Sequence, residues 1–232
     1  MTRRHVTSMA TTAGDVDAVA GAQQPLGREF FGRQAPDVAR DLVGMVLCRH
    51  DEGLVARILE VEAYTQDDPA CHAYGGRTAR NAALWGPPGH AYVYRSYGVH
   101  WCMNVSTGTE GVAQGCLLRA AQPLEGLAIM RSRRTTHTTT ELLRGPGKLC
   151  QAFGITGAMN GTDLCTTDLG DTADVRIHLG DDGIRLPVAE GPRVGVTQAA
   201  DLPRRFFVAG SPWVSTYRRS PRAPRGTDLQ AT

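Results

Sequence analysis

The sequence predicts an α+β fold: a single domain with a curved, mainly antiparallel sheet and flanking helices. Three observations carry that reading. Residues 57–64 read R-I-L-E-V-E-A-Y, an apolar-rich run with carboxylates at alternate positions. Residues 91–96 and 99–106 are strand-like and meet at Tyr97-Gly98, and 114–121 follows as a third strand, so the order is a meander. Helical spacing is confined to short segments around these strands.

Composition sets the frame. The chain has 232 residues, 41% hydrophobic and 21% charged, enough for one domain with a sizeable core. No apolar run approaches the ~18 residues that span a bilayer, so no membrane segment is expected. The first ten residues lack a long apolar stretch, so no secretory signal is expected either. The six cysteines are scattered without a CxxC pair and read as reduced, mostly buried thiols of a cytosolic protein. Net charge is only +2, but Lys148 is the single lysine among 25 basic residues. Such a bias toward arginine fits a G/C-rich genome, and it also fits forked phosphate contacts. Residues 1–24 are small, polar and aperiodic and read as a disordered tail. Residues 218–232 are basic and interrupted by proline, and read as a second disordered tail. The folded domain is therefore 25–217.

In order, Ala35-Pro36-Asp37 starts a helix with Val38, Leu42, Val43 and Val46 at helical spacing. Asp51-Glu52-Gly53 turns into the 57–64 strand. That strand points Glu60, Glu62 and Tyr64 to one face and Leu59, Val61 and Ala63 to the other. Two acids and a tyrosine on one side suit the floor of a pocket, although an amphipathic strand with both acids in water has the same pattern. Residues 65–88 form a long loop with little apolar periodicity, and its Arg77, Arg80, His72 and Tyr74 argue against a mere linker. On the strands that follow, Tyr92 and Tyr94 share a face, and so do Leu117 and Arg119. Residues 123–134 have helical spacing. Gly145-Pro146-Gly147 leads into a short helix carrying Lys148, a helix start able to receive an anion. Residues 160–163 form a turn, and 175–179, 193–197 and 206–208 are further short strands. Cys71, His72, His90 and His100 match no common zinc spacing, so no metal and no cofactor are expected.

Six ordered blocks, R-I-L-E-V-E-A-Y, C-H-A-Y-G-G-R-T-A-R-N, A-Y-V-Y-R-S-Y-G-V-H-W-C-M-N-V, L-L-R-A-A-Q-P-L-E-G, G-P-G-K-L-C-Q-A and G-S-P-W-V-S, span about Phe30 to Ser215. Together they resemble the alkyladenine (3-methyladenine) DNA glycosylases. The resemblance implies hydrolysis of the N-glycosidic bond between a damaged purine and deoxyribose in double-stranded DNA, by a monomer of the bacterial cytoplasm and nucleoid. It implies that Glu62 activates the attacking water. Tyr64, His72 and Tyr94 would line and sandwich the extruded base, with Asn104 near the purine 2-position and Leu117 beside the water. Tyr97 would wedge into the duplex gap. Arg119 would lie beside the backbone phosphate, and Arg77 and Lys148 would contact the DNA backbone. The contrasting class is a non-catalytic binder of damaged DNA, which would have no need of Glu62.

The residue chemistry agrees with this implication. Flipping a nucleotide out of a duplex costs a few kcal/mol, least for a damaged base. Stacking on aromatic side chains returns about 1–3 kcal/mol per base. Aromatic faces favour a cationic alkylpurine by roughly 0.5–2 kcal/mol. Such a purine leaves readily, so one carboxylate can serve as the base for water and as the counter-charge to a developing oxocarbenium ion.

Overall fold

The computed structural model describes residues 24–136, 138–165 and 177–224. The expected tail at 1–24 therefore lies outside the described residues except for Gln24, as does 225–232 of the expected C-terminal tail. Strand β1 (Gln24–Pro25) leads into helices α1 (Arg28–Phe31) and α2 (Ala35–Leu42), the latter with Pro36 in its first turn. Strands β2 (Val46–Arg49) and β3 (Leu54–Tyr64) form a hairpin closed at Gly53, whose φ is 60°. After the long loop come β4 (Ala91–Ser96), β5 (His100–Ser106) and β6 (Gly115–Glu125). Helices α3 (Leu127–Ser132) and α4 (Pro146–Phe153) precede the short strands β7 (Ile177–Asp181), β8 (Ala189–Gly191) and β9 (Arg205–Phe207).

These strands form one antiparallel sheet in the order β1-β7-β2-β3-β6-β5-β4, with β9 on β3 and β8 on β9. β3 is its hub. One edge pairs with β6 along nearly its whole length, while the other edge takes β2 at residues 54–57 and β9 at 60–62. Register shifts between Ile58 and Val61 mark β-bulges. Bulges bend a strand and increase its twist, which lets the two halves of β3 serve different partners and curls the sheet. Helices α2 and α4 cover one face, where Val38, Leu42, Val61, Met103, Leu118, Leu149 and Phe153 are fully buried. Burial of each large side chain there contributes about 1.5–3 kcal/mol. The opposite face, with Glu60, Glu62 and Leu117, is covered by loops instead.

Several elements differ from expectation. Val46 lies in β2, not in the first helix, because Gly44 (φ 103°) breaks the chain between them. The helix expected from Pro123 begins at Leu127. Residues 122–125 instead extend β6 alongside Val55–Arg57, and Gly126 (φ 75°) makes the turn. A side chain at Gly126 would collide with Leu54 and the Gly53 carbonyl, so glycine marks the real boundary. Residues 193–197 join no ladder, while β8 is a strand that pattern reasoning missed. Residues 218–224 lie against the body: the Arg218 carbonyl accepts from the Gly195 N–H at 2.9 Å, Arg219 pairs with Asp201, and Ala223 is buried.

Candidate active site

Four adjacent strands each contribute one residue to a lateral row. Glu62 of β3 lies opposite Leu117 of β6, Leu117 opposite Asn104 of β5, and Asn104 opposite Tyr92 of β4. The Asn104 Nδ2 donates to the Tyr92 carbonyl at 3.3 Å, which ties the amide to β4. This row floors a cleft of about 630 Å³. Parts of the 65–88 loop and residues 194–198 line it as well. Asn81 stitches the loop internally, donating to the His72 and Gly76 carbonyls at 3.0 and 2.9 Å and accepting from the Thr78 N–H at 2.7 Å. That network explains how a segment with little apolar periodicity holds its shape.

Glu62 is 0% exposed and has three donors among the described residues. Its Oε2 accepts from the Tyr64 hydroxyl at 2.8 Å and from Arg119 at 3.1 Å. Its Oε1 accepts from the Val194 N–H at 2.7 Å. Each carboxylate oxygen has two lone-pair sites, so the described residues use both on Oε2 and one on Oε1, which has room for a further donor. Glu60, on the same face, is equally buried. It accepts from Arg119 at 2.9 Å, Arg205 at 2.7 Å, and the Ser215 N–H and hydroxyl at 2.7 and 2.8 Å. Neither acid faces bulk water, so the solvated amphipathic strand is excluded. Burial alone would raise the Glu60 pKa, but Arg119, Arg205 and Ser215 outweigh it and hold the carboxyl below its ordinary value. Burial, and next to it the charge of Glu62, push the Tyr64 hydroxyl well above its ordinary range, so it remains a donor.

The aromatic wall is a cluster of three rings. Tyr92 and Tyr94 stack with centroids 5.4 Å apart and planes 24° apart, and the His72 ring stands edge-on to Tyr94 at 4.5 Å. His72 Nδ1 and the Tyr92 hydroxyl share a hydrogen bond of 3.0 Å. Burial pushes the Tyr92 hydroxyl to about 12. Partial burial, followed by the charge of Arg80, lowers the His72 pKa, so the ring is neutral at pH 7. Arg80 itself stands 5.8 Å from the Tyr94 centroid and donates to the Arg95 carbonyl at 3.3 Å.

At the cleft rim, the β4–β5 hairpin closes on Tyr97 and Gly98, with φ of 49° and 70°. The Val99 N–H donates to the Ser96 carbonyl at 3.0 Å across this turn. Left-handed backbone at a non-glycine residue costs about 1–2 kcal/mol. Tyr97 nevertheless takes it, and its side chain stands 95% exposed. Cross-strand packing therefore accounts for Tyr92 but not for Tyr97.

The cleft gathers Glu62, Tyr64, His72, Tyr94, Tyr97, Asn104, Leu117 and Arg119. Arg119, expected beside a phosphate, is buried, and its guanidinium is taken up by Glu60 and Glu62. Arg77 is exposed on the 65–88 loop but does not line the cleft. Lys148 pairs with Glu141 on the surface and is also outside it. Sequence reasoning missed Cys71, Cys102 and the 194–198 segment as lining residues. Only the 193–197 run, read as a short strand, carried any signal of the last. Among the described residues, no group of three or more His, Cys, Asp or Glu is placed to hold a metal ion, and no helix is long and apolar enough to cross a membrane.

A family model described as methylpurine-DNA glycosylase matches residues 29–212. The chain is 49% identical over 193 residues to a protein of Rhodopseudomonas palustris (strain HaA2), covering 82% of this chain and 90% of that one. It is 47% identical over 188 residues to a protein of Methanoculleus marisnigri, covering 80% and 96%. It is 46% identical over 194 residues to one of Burkholderia lata, covering 82% and 90%. All three relatives are provisionally named 3-methyladenine DNA glycosylase.

Proposed function

Because the chain belongs to the methylpurine-DNA glycosylase family, we propose that it is a base excision repair enzyme that flips alkylated purines out of double-stranded DNA and hydrolyses their N-glycosidic bond. It works as a monomer in the cytoplasm and nucleoid, with a glycosylase domain that begins near residue 25 and takes in the docked residues 218–224. The single observation that carries the reaction is Glu62: a buried carboxylate with one lone pair of Oε1 unclaimed at the floor of an aromatic cleft.

In the reaction, the base stacks between Tyr64, His72 and Tyr94. Water attacks C1′ as the C1′–N bond breaks, and the bonding electrons leave with the purine. A cationic alkylpurine departs as a neutral base. The hydroxyl of the water stays on C1′, and its proton goes to Glu62 Oε1 and then to solvent. Asn104 and Leu117 shape the floor, where Asn104 lies against the purine edge. Arg119 acts through Glu62, by holding Oε2. Arg77 and Lys148 meet the backbone outside the cleft. The test is to incubate the protein with duplexes carrying 3-methyladenine, 7-methylguanine, hypoxanthine or ethenoadenine and to identify the released bases. Release of no alkylpurine overturns the reading.

Tyr97 is the wedge, and its exposure on left-handed backbone supports that role. Tyr97→Ala should shrink the fluorescence change of a 2-aminopurine placed beside the lesion, because a wedge acts before bond cleavage. An unchanged signal would remove Tyr97 from flipping. The product should be an intact abasic site, since a strand-cutting Schiff base needs a neutral amine in the cleft. The only lysine is ion-paired outside it. Borohydride treatment during turnover should yield no covalent protein–DNA adduct on a denaturing gel. A robust adduct lost in Lys148→Ala would contradict this.

A further inference from the structure

We propose that Arg193 is a positioning residue of this active site, setting two of the three hydrogen bonds that aim Glu62. The inference rests on Glu62 being the base that activates water. Arg193 is the largest side chain that the described residues bury completely, at 0% exposure of both its own side chain and that of its partner Asp68. Its guanidinium forks onto both Asp68 oxygens, at 3.1 Å to Oδ1 and more closely to Oδ2. It also donates to the Ala63 carbonyl at 3.1 Å and to the Ala199 carbonyl at 3.3 Å. The same group lies over the Tyr64 ring, 4.6 Å from its centroid.

These contacts tie three parts of the molecule to one cation: the end of β3, the start of the 65–88 loop and both ends of a strap, residues 193–199. Ala199 has a φ of 47°, the second of two described non-glycine residues with left-handed backbone. Such backbone persists only where its surroundings over-determine it, and its carbonyl is one that Arg193 holds. The very next residue after Arg193 supplies the Val194 N–H to Glu62 Oε1. The ring beneath the guanidinium supplies the hydroxyl to Oε2. One buried side chain therefore sets the donors on both carboxylate oxygens and hence the direction of the open Oε1 lone pair. A buried ion pair by itself is weak support for stability, so this one is better accounted for by geometry. Lysine could keep the charge but not the planar fork that reaches Asp68 and two carbonyls together.

The test compares wild type, Arg193→Lys, Asp68→Asn and Glu62→Gln on a 3-methyladenine or 7-methylguanine duplex, at a temperature below every melting transition. Arg193→Lys should lower the single-turnover excision rate by roughly 10²-fold, the cost typical of a small misplacement at the reacting centre. Its affinity for the lesion duplex should change by less than about threefold, since the loss falls on the transition state alone. Asp68→Asn, which keeps Arg193 but weakens its fork, should show the same pattern at about 10-fold; it is also the deciding variant if Arg193→Lys does not fold. A wild-type rate in folded variants overturns the inference, as does a loss confined to affinity. If Glu62→Gln also keeps its rate, it is the assignment of Glu62 that falls. If Glu62→Gln is inactive while the Arg193 and Asp68 variants are not, only the positioning role falls.

Discussion

Glu62→Gln is expected to abolish most excision while leaving a folded, DNA-binding protein. A single general base contributes roughly 10²–10⁴-fold in rate, and in the proposed mechanism the same carboxylate also faces the developing positive charge. Glutamine keeps the shape of the side chain but cannot satisfy its surroundings. With its oxygen toward Tyr64 and Arg119, its NH₂ meets the Val194 N–H, so a donor faces a donor. That mismatch costs about 1–3 kcal/mol, which the fold can tolerate. Single-turnover kinetics with excess enzyme, alongside binding to the same lesion duplex, separate the chemistry from the affinity. Near wild-type excision by the variant would remove Glu62 from catalysis and reopen the reading as a binder of damaged DNA.

Glu60→Gln should behave in the opposite way, with its main effect on stability. Glu60 is the shared anchor of Arg119, Arg205 and Ser215, and all these side chains except that of Ser215 are buried. Removing its charge leaves Arg205 with hydrogen bonds to neutral acceptors alone, a class of change that costs about 3–5 kcal/mol. For a domain of this size the melting temperature should drop by roughly 10 °C. The pH dependence has a defined sign. Burial opposes ionisation of Glu60, but Arg119 and Arg205 outweigh it, so its folded pKa lies below the ordinary 4.5. Its contribution is therefore present in full above about pH 4.5 and is lost as pH falls through the folded pKa. The gap in melting temperature between wild type and variant should narrow below pH 4.5. A constant gap across that range, or no gap at neutral pH, would show that the buried carboxylate is not the anchor.

Legibility in the sequence followed the range of the interaction. The alternation in R-I-L-E-V-E-A-Y placed Glu60, Glu62 and Tyr64 on one face correctly, and the meander reading placed Tyr92, Tyr94, Asn104, Leu117 and Arg119 around one cleft. Both depend on the two-residue period of a strand, which is local. The element ends were less legible. Pro123 reads as the first turn of a helix, and pairing of 122–125 with Val55–Arg57 overrode that local signal. The solvated alternative for Glu60 and Glu62 could not be dismissed from the pattern, because alternation says which side a residue faces and not what covers that side.

By itself, then, the sequence determined the α+β class, the strand faces, the turn that presents Tyr97 and the ordered blocks that point to the family. Tertiary structure alone decided that Arg119 pairs with two carboxylates at once, Glu60 and Glu62. It also decided that Glu62 is gripped by a backbone N–H 132 residues away, and that a fully buried Arg193 sits behind that grip. The physical reason is that hydrogen bonds from Val194, Arg205 and Ser215 to β3 require the chain to return across more than half its length, and no local period records where it will come to rest. Propensity and alternation are properties of neighbours in sequence; burial, charge pairing and the direction of a lone pair are properties of neighbours in space.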